Sequence, residues 1–472
     1  MRAMLFCLLF FAMSSLGCNQ PDADQTGAAT ATESLMPISL VVIDDAQLAE
    51  AISREWMAQS AQPLQVQNLS ADELWALKRL EADAIIYPPQ HLGELVQRKW
   101  IEPIPNSVHD NEVLAESDFF TLIRRNENRW DNQLQALSLG SPVLVFMYRE
   151  DIFEELQLTP PTTWEEYQVC VETIDASLQK LTQFPNLKSA TLEALTDGWK
   201  AKTLIVRTAA YAKHQNNISI LFNFASMQSN LHQPSFIKAA EELIAVEQTI
   251  PDELKNLTPY EVGDEFLAGK SAMAVGWFRP LQQKDLDRIS WPIGITKVPG
   301  SRETYNQFEA NWVTHSADNA ISVPVISSSG QVASISSRSA NTRSTALCLI
   351  RLTGSELGFP LSRASDKTGL SRNSAVPLMS SWLDDRRFTK ELAAKYGKVV
   401  SNQLNGNQAV SALKIPAQQE YMQSLETSVE QMLKGEKTAK DALQSASDQW
   451  NEITERIGKD EQKQAYNQSL NL

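Results

Sequence analysis

Ser138 to Tyr167 reads SLGSPVLVFMYREDIFEELQLTPPTTWEEY, and this stretch decides the fold. Val143 to Tyr148 is an unbroken apolar run that predicts a buried strand. Asp151 to Leu156 predicts a short helical turn, and Pro160-Pro161 a sharp bend. Thr163 then caps a helix with Glu166 three residues on, the reciprocal pattern of a capping box. The segment holds neither a nucleophile–base set nor a metal-ligand cluster. Its order therefore calls for a mechanical explanation.

Upstream, Ile38 to Ile43 reads as a buried strand, followed by Leu48, Ile52 and Trp56 at helical spacing. PLQVQNL alternates as a strand. SADELWALKRL opens on Ser70 with Glu73 three residues later, a second capping box. ADAIIYPP is a strand stopped by Pro88 and Pro89, and GELVQRKWIEPIP is a helix and exit. The order βαβαβα predicts a parallel sheet with helices on both faces. Downstream, helices are predicted from about Leu192 to His214, from Ser235 to Gln248 and from Thr342 to Leu352. Strands are predicted at Ala272 to Val275, Ile289 to Gly300 and Gln331 to Ser336. Tyr421, Leu425, Val429, Met432 and Leu433 share one helix face that Gly435 ends. Thr438 and Asp441 open another helix, carrying Leu443, Ala446, Trp450 and Ile453.

The chain has 472 residues, 43% hydrophobic and 21% charged, enough for two or three compact units. It begins MRAMLFCLLFFAMSSLGC. Arg2 and the apolar run Met4 to Met13 form the n- and h-regions of a secretory signal, residues 1–17. Ser15-Leu16-Gly17-Cys18 resembles a bacterial lipobox, with Ser where Leu is usual. The resemblance implies diacylation of Cys18; ordinary cleavage beside an incidental cysteine is the other reading. Several acyl chains there would anchor the protein stably. Residues 18–36 are small and polar, a flexible tether. The formal charge is −15 with no basic run, which argues against binding nucleic acid or an anionic lipid surface. Cys170 and Cys348 remain beyond Cys7 and Cys18. Their spacing leaves a disulfide and two buried free thiols equally open.

Five histidines occur, none paired at i+3 or i+4, and HExxH, CxxC, GxGxxG, the P-loop and GxSxG are all missing. The pairs Asp44-Asp45 and Glu165-Glu166 read as caps and solvated faces. No catalytic residue, metal ligand or cofactor is assigned. Tryptophan is plentiful, eleven in all. Trp56, Trp75, Trp164 and Trp450 fall on amphipathic helix faces and read as core. Trp130, Trp199, Trp277, Trp291 and Trp312 sit where strands meet loops. An indole offers a large apolar face and one N–H, which suits a sugar ring with its hydroxyl edge.

These residues resemble a known family, the bacterial extracellular solute-binding proteins of family 1, the sugar-binding subunits of ABC importers. The opening stretch is similar to the family's hinge strand, then Tyr-x-x-Asp-hydrophobic-Phe, a short helix and Pro-Pro-x-Thr-Trp-x-Glu. ADAIIYPPQHLGELVQRKWIEPIP resembles the strand and helix of the first lobe. FLAGKSAMAVGW resembles the Gly-Lys-x-Ala-Met strand, IGITKVPG the strand ending in Pro-Gly, and IPAQQEYMQSLETSVEQMLKGEKTAKDALQSASDQW the closing helix pair. The matches fall in the expected order from Ile38 to Trp450.

The resemblance implies an α/β, two-lobe periplasmic-binding-protein fold, each lobe a mainly parallel sheet flanked by helices, joined by crossing hinge strands. The first lobe is expected over 37–139 plus about 289–358, and the second over about 140–288 plus 359–457, with a polar tail at 458–472. Crossings are expected near Leu139 to Pro142, Ser290 to Gly294 and Gly354 to Ala364. A solute would sit between the lobes, which close on it by a hinge motion. Ligand contacts carried over by position are Trp277, Trp199, Tyr148, Asp45, Asp44, Tyr87 and Trp312. Tyr148 could equally pack the second lobe. Arg279 departs from the pattern and would pair with a carboxylate on the solute. The stretch Ser301 to Pro324 is longer than the family's loop and would reshape the cleft or cover the lobe. The implied protein is a monomeric, lipid-anchored, extracytoplasmic (periplasmic or outer-surface) binder of a mono- or oligosaccharide that serves an ABC permease. A non-sugar or acidic solute, or a protein partner, is the alternative.

Overall fold

Strand β1 (Ile38–Ile43) is apolar except for Ser39, and its neighbours on both sides run parallel to it. In the computed structural model, which describes residues 36–280, 289–316 and 320–472, it opens an alternating series. Helix α1 (Ala46–Gln59) follows, capped by Asp45, whose carboxylate accepts the Leu48 amide at 3.0 Å. Next come β2 (Leu64–Leu69), α2 (Ala71–Ala76), β3 (Ala84–Tyr87), α3 (Leu92–Gln97) and β4 (Ile101–Glu102). The capping box on α2 forms as its sequence requires, Ser70 and Glu73 each bonding the other's amide. Then α4 (Thr121–Asn126), the hairpin β5 (Arg129–Trp130) and β6 (Gln133–Leu134), and β7 (Leu137–Ser138) lead to the quoted stretch.

There β8 (Val145–Arg149), α5 (Glu150–Glu155) and α6 (Trp164–Asp175) appear, the last with its Thr163–Glu166 capping box. They are followed by β9 (Ser189–Glu193), α7 (Lys200–Ala212), α8 (Pro234–Glu247), α9 (Pro259–Leu267), β10 (Ser271–Gly276) and β11 (Ile293–Lys297). The hairpin β12 (Glu303–Asn306) and β13 (Asn311–Thr314) precedes β14 (Val325–Ile326) and β15 (Val332–Ser336). Helices α10 (Thr342–Thr353), α11 (Ser355–Leu361), α12 (Met379–Trp382) and α13 (Lys390–Leu404) come next. Strand β16 (Val410–Ser411) leads to α14 (Gln418–Leu433), α15 (Ala439–Ile457) and α16 (Lys459–Ser469).

Two sheets organise these elements. The first runs β2-β1-β3-β15-β4, with β7 also on β15; the second runs β11-β8-β10-β9. Both are mixed. Within these two sheets parallel pairing is confined to β2-β1-β3 and β9-β10, because β15 and β8 enter from the opposite direction and pair antiparallel with each neighbour. Strand Ile293–Lys297 pairs with Val145–Arg149 in the second sheet, not in the first lobe where its expected boundary lies. Gly294 is the reason it fits: any side chain there would enter the Tyr148 ring. The expected tail, 458–472, contains a helix with Tyr466 buried. Signal, Cys18 and tether lie outside the described residues. Cys170 and Cys348 are free and buried. The second lobe also buries an ion pair: Arg207 on α7 donates to Glu193 on β9 through Nε at 3.0 Å and through Nη2. Trp164 lies under the guanidinium at 4.4 Å, and the Tyr167 hydroxyl donates to the same carboxylate at 2.8 Å.

The chain passes between the sheets where main chain meets main chain. The first passage follows β7, at Leu139 to Pro142. The second is at Ser327 to Gln331, not near Ser290. The third follows α11, past Ala364, because Gly354 merely joins α10 to α11 on the first lobe. Gly140, with φ +103°, packs so closely on Gly369 that a Cβ would lie 1.7 Å from its carbonyl oxygen. Gly330, with φ +112°, abuts Ser141 and the Gly140 carbonyl. Only glycine accepts such backbone and such approach together. Buried Glu127, beside them, accepts the hydroxyls of Ser138 at 2.9 Å and Ser327 at 3.2 Å, linking the first two passages. Burial pushes its carboxyl above the usual range.

Candidate functional site

The loops at the carboxyl ends of β1 and β3 face α7 and α14 across a cavity of about 310 Å³. Carboxyl ends of parallel strands are where open α/β sheets bind ligands. After β1 the chain turns sharply at Asp44, which has φ +56°. Its carboxylate accepts the Ala71 amide at the start of α2, 3.0 Å away. After β3, Pro88 and Pro89 end the strand and bring Gln90 and His91 to the cavity. The opposite wall is Gly198, Lys202 and Ile205 around α7, with Gln419, Met422 and Glu426 from α14.

The electrostatics are mixed rather than single-signed. Lys202 donates to the Ser328 carbonyl at 2.8 Å and stands 4.6 Å from the centre of the Trp199 ring. Burial pushes its ammonium pKa down to about 8, against the opposing pull of Glu426. Glu426 accepts the Gly198 and Ala201 amides at 2.9 and 2.8 Å, so α14 caps the start of α7. Burial pushes His91 down to about 4, leaving a neutral imidazole at neutral pH. Buried Gln90 Oε1 has no hydrogen-bond partner among the described residues. An unpartnered amide oxygen and a half-engaged ammonium beside apolar Ile205, Leu221 and Met422 suit a molecule with both hydroxyls and C–H faces.

An outer groove of about 800 Å³ adjoins the cavity, and His91, Gln418, Gln419 and Gln423 line both. Trp75 forms part of its first-lobe wall. It meets His91 edge-on at 5.2 Å and stacks on Trp100 at 6.3 Å. Arg98, paired with Glu94 at 2.8 Å, lies 5.1 Å from the Trp75 ring centre.

Of the residues expected at the site, Asp44 lines the cavity, and Trp199 lies against Lys202, which does. The others stand elsewhere. Trp277 is 3% exposed, wedged edge-on between Trp199 at 5.1 Å and Tyr260 at 4.9 Å. Tyr148 packs between Phe146 and Phe153 in the second-lobe core. Asp45 is spent on the α1 cap and on the Ser365 hydroxyl at 2.5 Å; burial raises its pKa. Tyr87 is fully buried, its hydroxyl on Ser334 at 2.8 Å. Trp312 stands in the β12–β13 hairpin against Tyr305 and Tyr211, so the long loop covers the second lobe. Arg279 is paired with Asp264 at 2.6 Å and with Asp366, and holds no charge free for a solute carboxylate. Sequence reading did not single out Gln90, His91, Lys202 and Glu426; Trp75, read as core, packs against the first-lobe core and also borders the outer groove. The double-proline stop after β3 is the signal that could have found the first two.

No family model matches the chain, and no curated protein matches it by sequence. Solved structures do. The chain is similar to an ABC transporter solute-binding protein from Agrobacterium radiobacter in complex with ribitol (TM-score 0.63, 16% identity, 88% of this chain and 98% of that one). It is similar to the sugar-binding protein MalE from Xanthomonas citri (0.64, 15%, 89% and 98%). It is also similar to an ABC transporter solute-binding protein from Agrobacterium vitis with bound D-mannitol (0.62, 14%, 89% and 99%). The chain thus has the α/β, two-lobe solute-binding-protein fold.

Proposed function

We propose that this protein captures a carbohydrate or polyol in the cavity between its lobes and delivers it to an ABC permease. The observation that carries the reading is the cavity itself. It lies at the carboxyl ends of β1 and β3, opposite α7 and α14, and its lining mixes an unpartnered amide oxygen, carboxylates, one ammonium and apolar side chains. Hydroxyl groups both donate and accept, so a neutral polyhydroxylated solute can satisfy such a lining where a simple anion cannot. Ribitol and D-mannitol bound in solute-binding proteins of the same fold, and a sugar-binding protein among them, support the solute class and the transport role. With Arg279 neutralised within the protein, the reason for an acidic solute falls away.

The test is a thermal-shift panel of ribitol, D-mannitol, D-tagatose, maltose and longer glucans. Ligand at 100 times its Kd stabilises a folded protein by about 2.7 kcal/mol, a plainly visible shift. No shift with any member sinks the carbohydrate reading. A binding role also requires that labelled solute be recovered unchanged. Anchoring through Cys18 belongs to the same proposal; Cys18→Ser should release the protein from the membrane fraction and abolish acyl labelling.

A further inference from the structure

The C-terminal helix is bonded to both lobes. It continues from α15 through Gly458, which has φ +122° and turns the chain. On the second lobe, Tyr466 is buried with its hydroxyl on Ser219 and its ring edge-on to Phe222 at 5.2 Å. Lys463 donates to the Ala225 carbonyl at 2.8 Å and Gln462 to the Pro416 carbonyl at 3.0 Å. At its far end the helix reaches the β5–β6 hairpin, which belongs to the first lobe because Trp130 packs with Val41, Ile43 and Val332 of the first sheet. There the Gln468 carbonyl accepts the Asp131 amide at 3.0 Å, and Asn471 Oδ1 accepts the Asn132 amide at 3.0 Å. Asn471 Nδ2 donates to the Arg125 carbonyl at 2.8 Å, and Gln468 Nε2 to Asp131 at 3.3 Å.

This bridge lies beside a second groove of about 310 Å³, lined by Arg125 and Asn126 of the first lobe, Lys213 and Ser219 of the second, and Tyr466 and Leu472 of the terminus. Leu221 and Ser411 line both this groove and the ligand cavity, so the two hollows adjoin. We propose that α16, bonded to both lobes beside this groove, is a strap that sets the resting opening of the cleft. Closure on a ligand must then stretch or release its first-lobe bonds. Those bonds are exposed and polar, so the strap can yield, while buried Tyr466 keeps the helix on the second lobe.

The test uses ligand-free protein, so it does not depend on which solute binds. Spin labels are placed on Met57→Cys of α1 and Asp175→Cys of α6, with Cys7 and Cys18 replaced by serine. Cys170 and Cys348 stay, since burial raises their thiols to about 11 and 12 and keeps them unreactive. The interlobe distance distribution is compared for the parent, for truncation after Ile457, and for Gln468→Ala with Asn471→Ala, which spares the helix. The expected result is a distribution shifted or broadened by more than about 2 Å in the double variant. Lys463→Ala, which removes only a second-lobe bond, should match the parent. The proposal is overturned if the double variant, still unfolding cooperatively, gives the parent's distribution. It is equally overturned if Lys463→Ala broadens it as much. Should truncation unfold the chain, the double variant alone decides.

Discussion

Replacing Arg207 by methionine tests a fully buried charge in the second lobe. Arg207 and Glu193 side chains are each 1% exposed, and the guanidinium meets the carboxylate through two N–H bonds. Removing one member of such a pair leaves the other charge buried and uncompensated, at about 3–5 kcal/mol. Glu242, 3.9 Å from Arg207 Nη1, loses its cation as well and adds like-charge repulsion, which places Arg207→Met toward the upper end. The folded-to-unfolded ratio should therefore fall by about 10² to 10⁴. Urea unfolding followed by circular dichroism measures it through the midpoint at constant slope. The double variant Arg207→Met, Glu193→Leu removes both charges and should recover most of the loss, because an apolar replacement of a buried pair is near neutral. Arg207→Met costing under about 1 kcal/mol, or a double variant no more stable than the single one, would refute the reasoning.

Three further outcomes are expected. Lys202 has its pKa near 8, so solute affinity should fall about tenfold between pH 7 and 9 as the ammonium is lost, and Lys202→Met should abolish that slope in calorimetric titrations. Gln90→Leu removes an amide whose oxygen has no hydrogen-bond partner among the described residues; melting temperature should hold while affinity drops about tenfold. Trp277→Phe should lower the melting temperature and leave solute affinity within about twofold, since its ring lies against Trp199 and Tyr260 instead of the cavity; a tenfold loss of affinity would return it to the site.

The elements were legible where local physics dictates them. Ser70–Glu73, Thr163–Glu166 and Thr438 cap the helices their sequences announce, since a cap needs only residues three apart. Strand placement was not. IGITK reads the same in either sheet, and its pairing with Val145–Arg149 depends on a glycine under a distant tyrosine ring. The site was the least legible part. Gln90, Lys202 and Glu426 come from three remote segments and look like solvated helix surface until the fold brings them together. Trp277 and Arg279 looked functional because an aromatic and a cation follow a strand. Their partners Tyr260 and Asp264 on the preceding helix already satisfy them. The last helix has a polar sequence and a single buried tyrosine, too little apolar pattern to announce that it docks.

The stacking of Gly140 on Gly369, and of Gly330 on Ser141, limits how this chain can drift in evolution. In an ordinary core an enlarged side chain is rescued by a smaller neighbour. Here a methyl group at position 140 would strike the carbonyl of another glycine, which has nothing left to shrink, and one at 330 would strike the Gly140 carbonyl as well as Ser141. The joint between the lobes is thus fixed by the thickness of bare main chain. Descendants of this sequence can retune the cavity residue by residue, but two lineages that inherit the joint must keep its glycines together or rebuild all three passages at once.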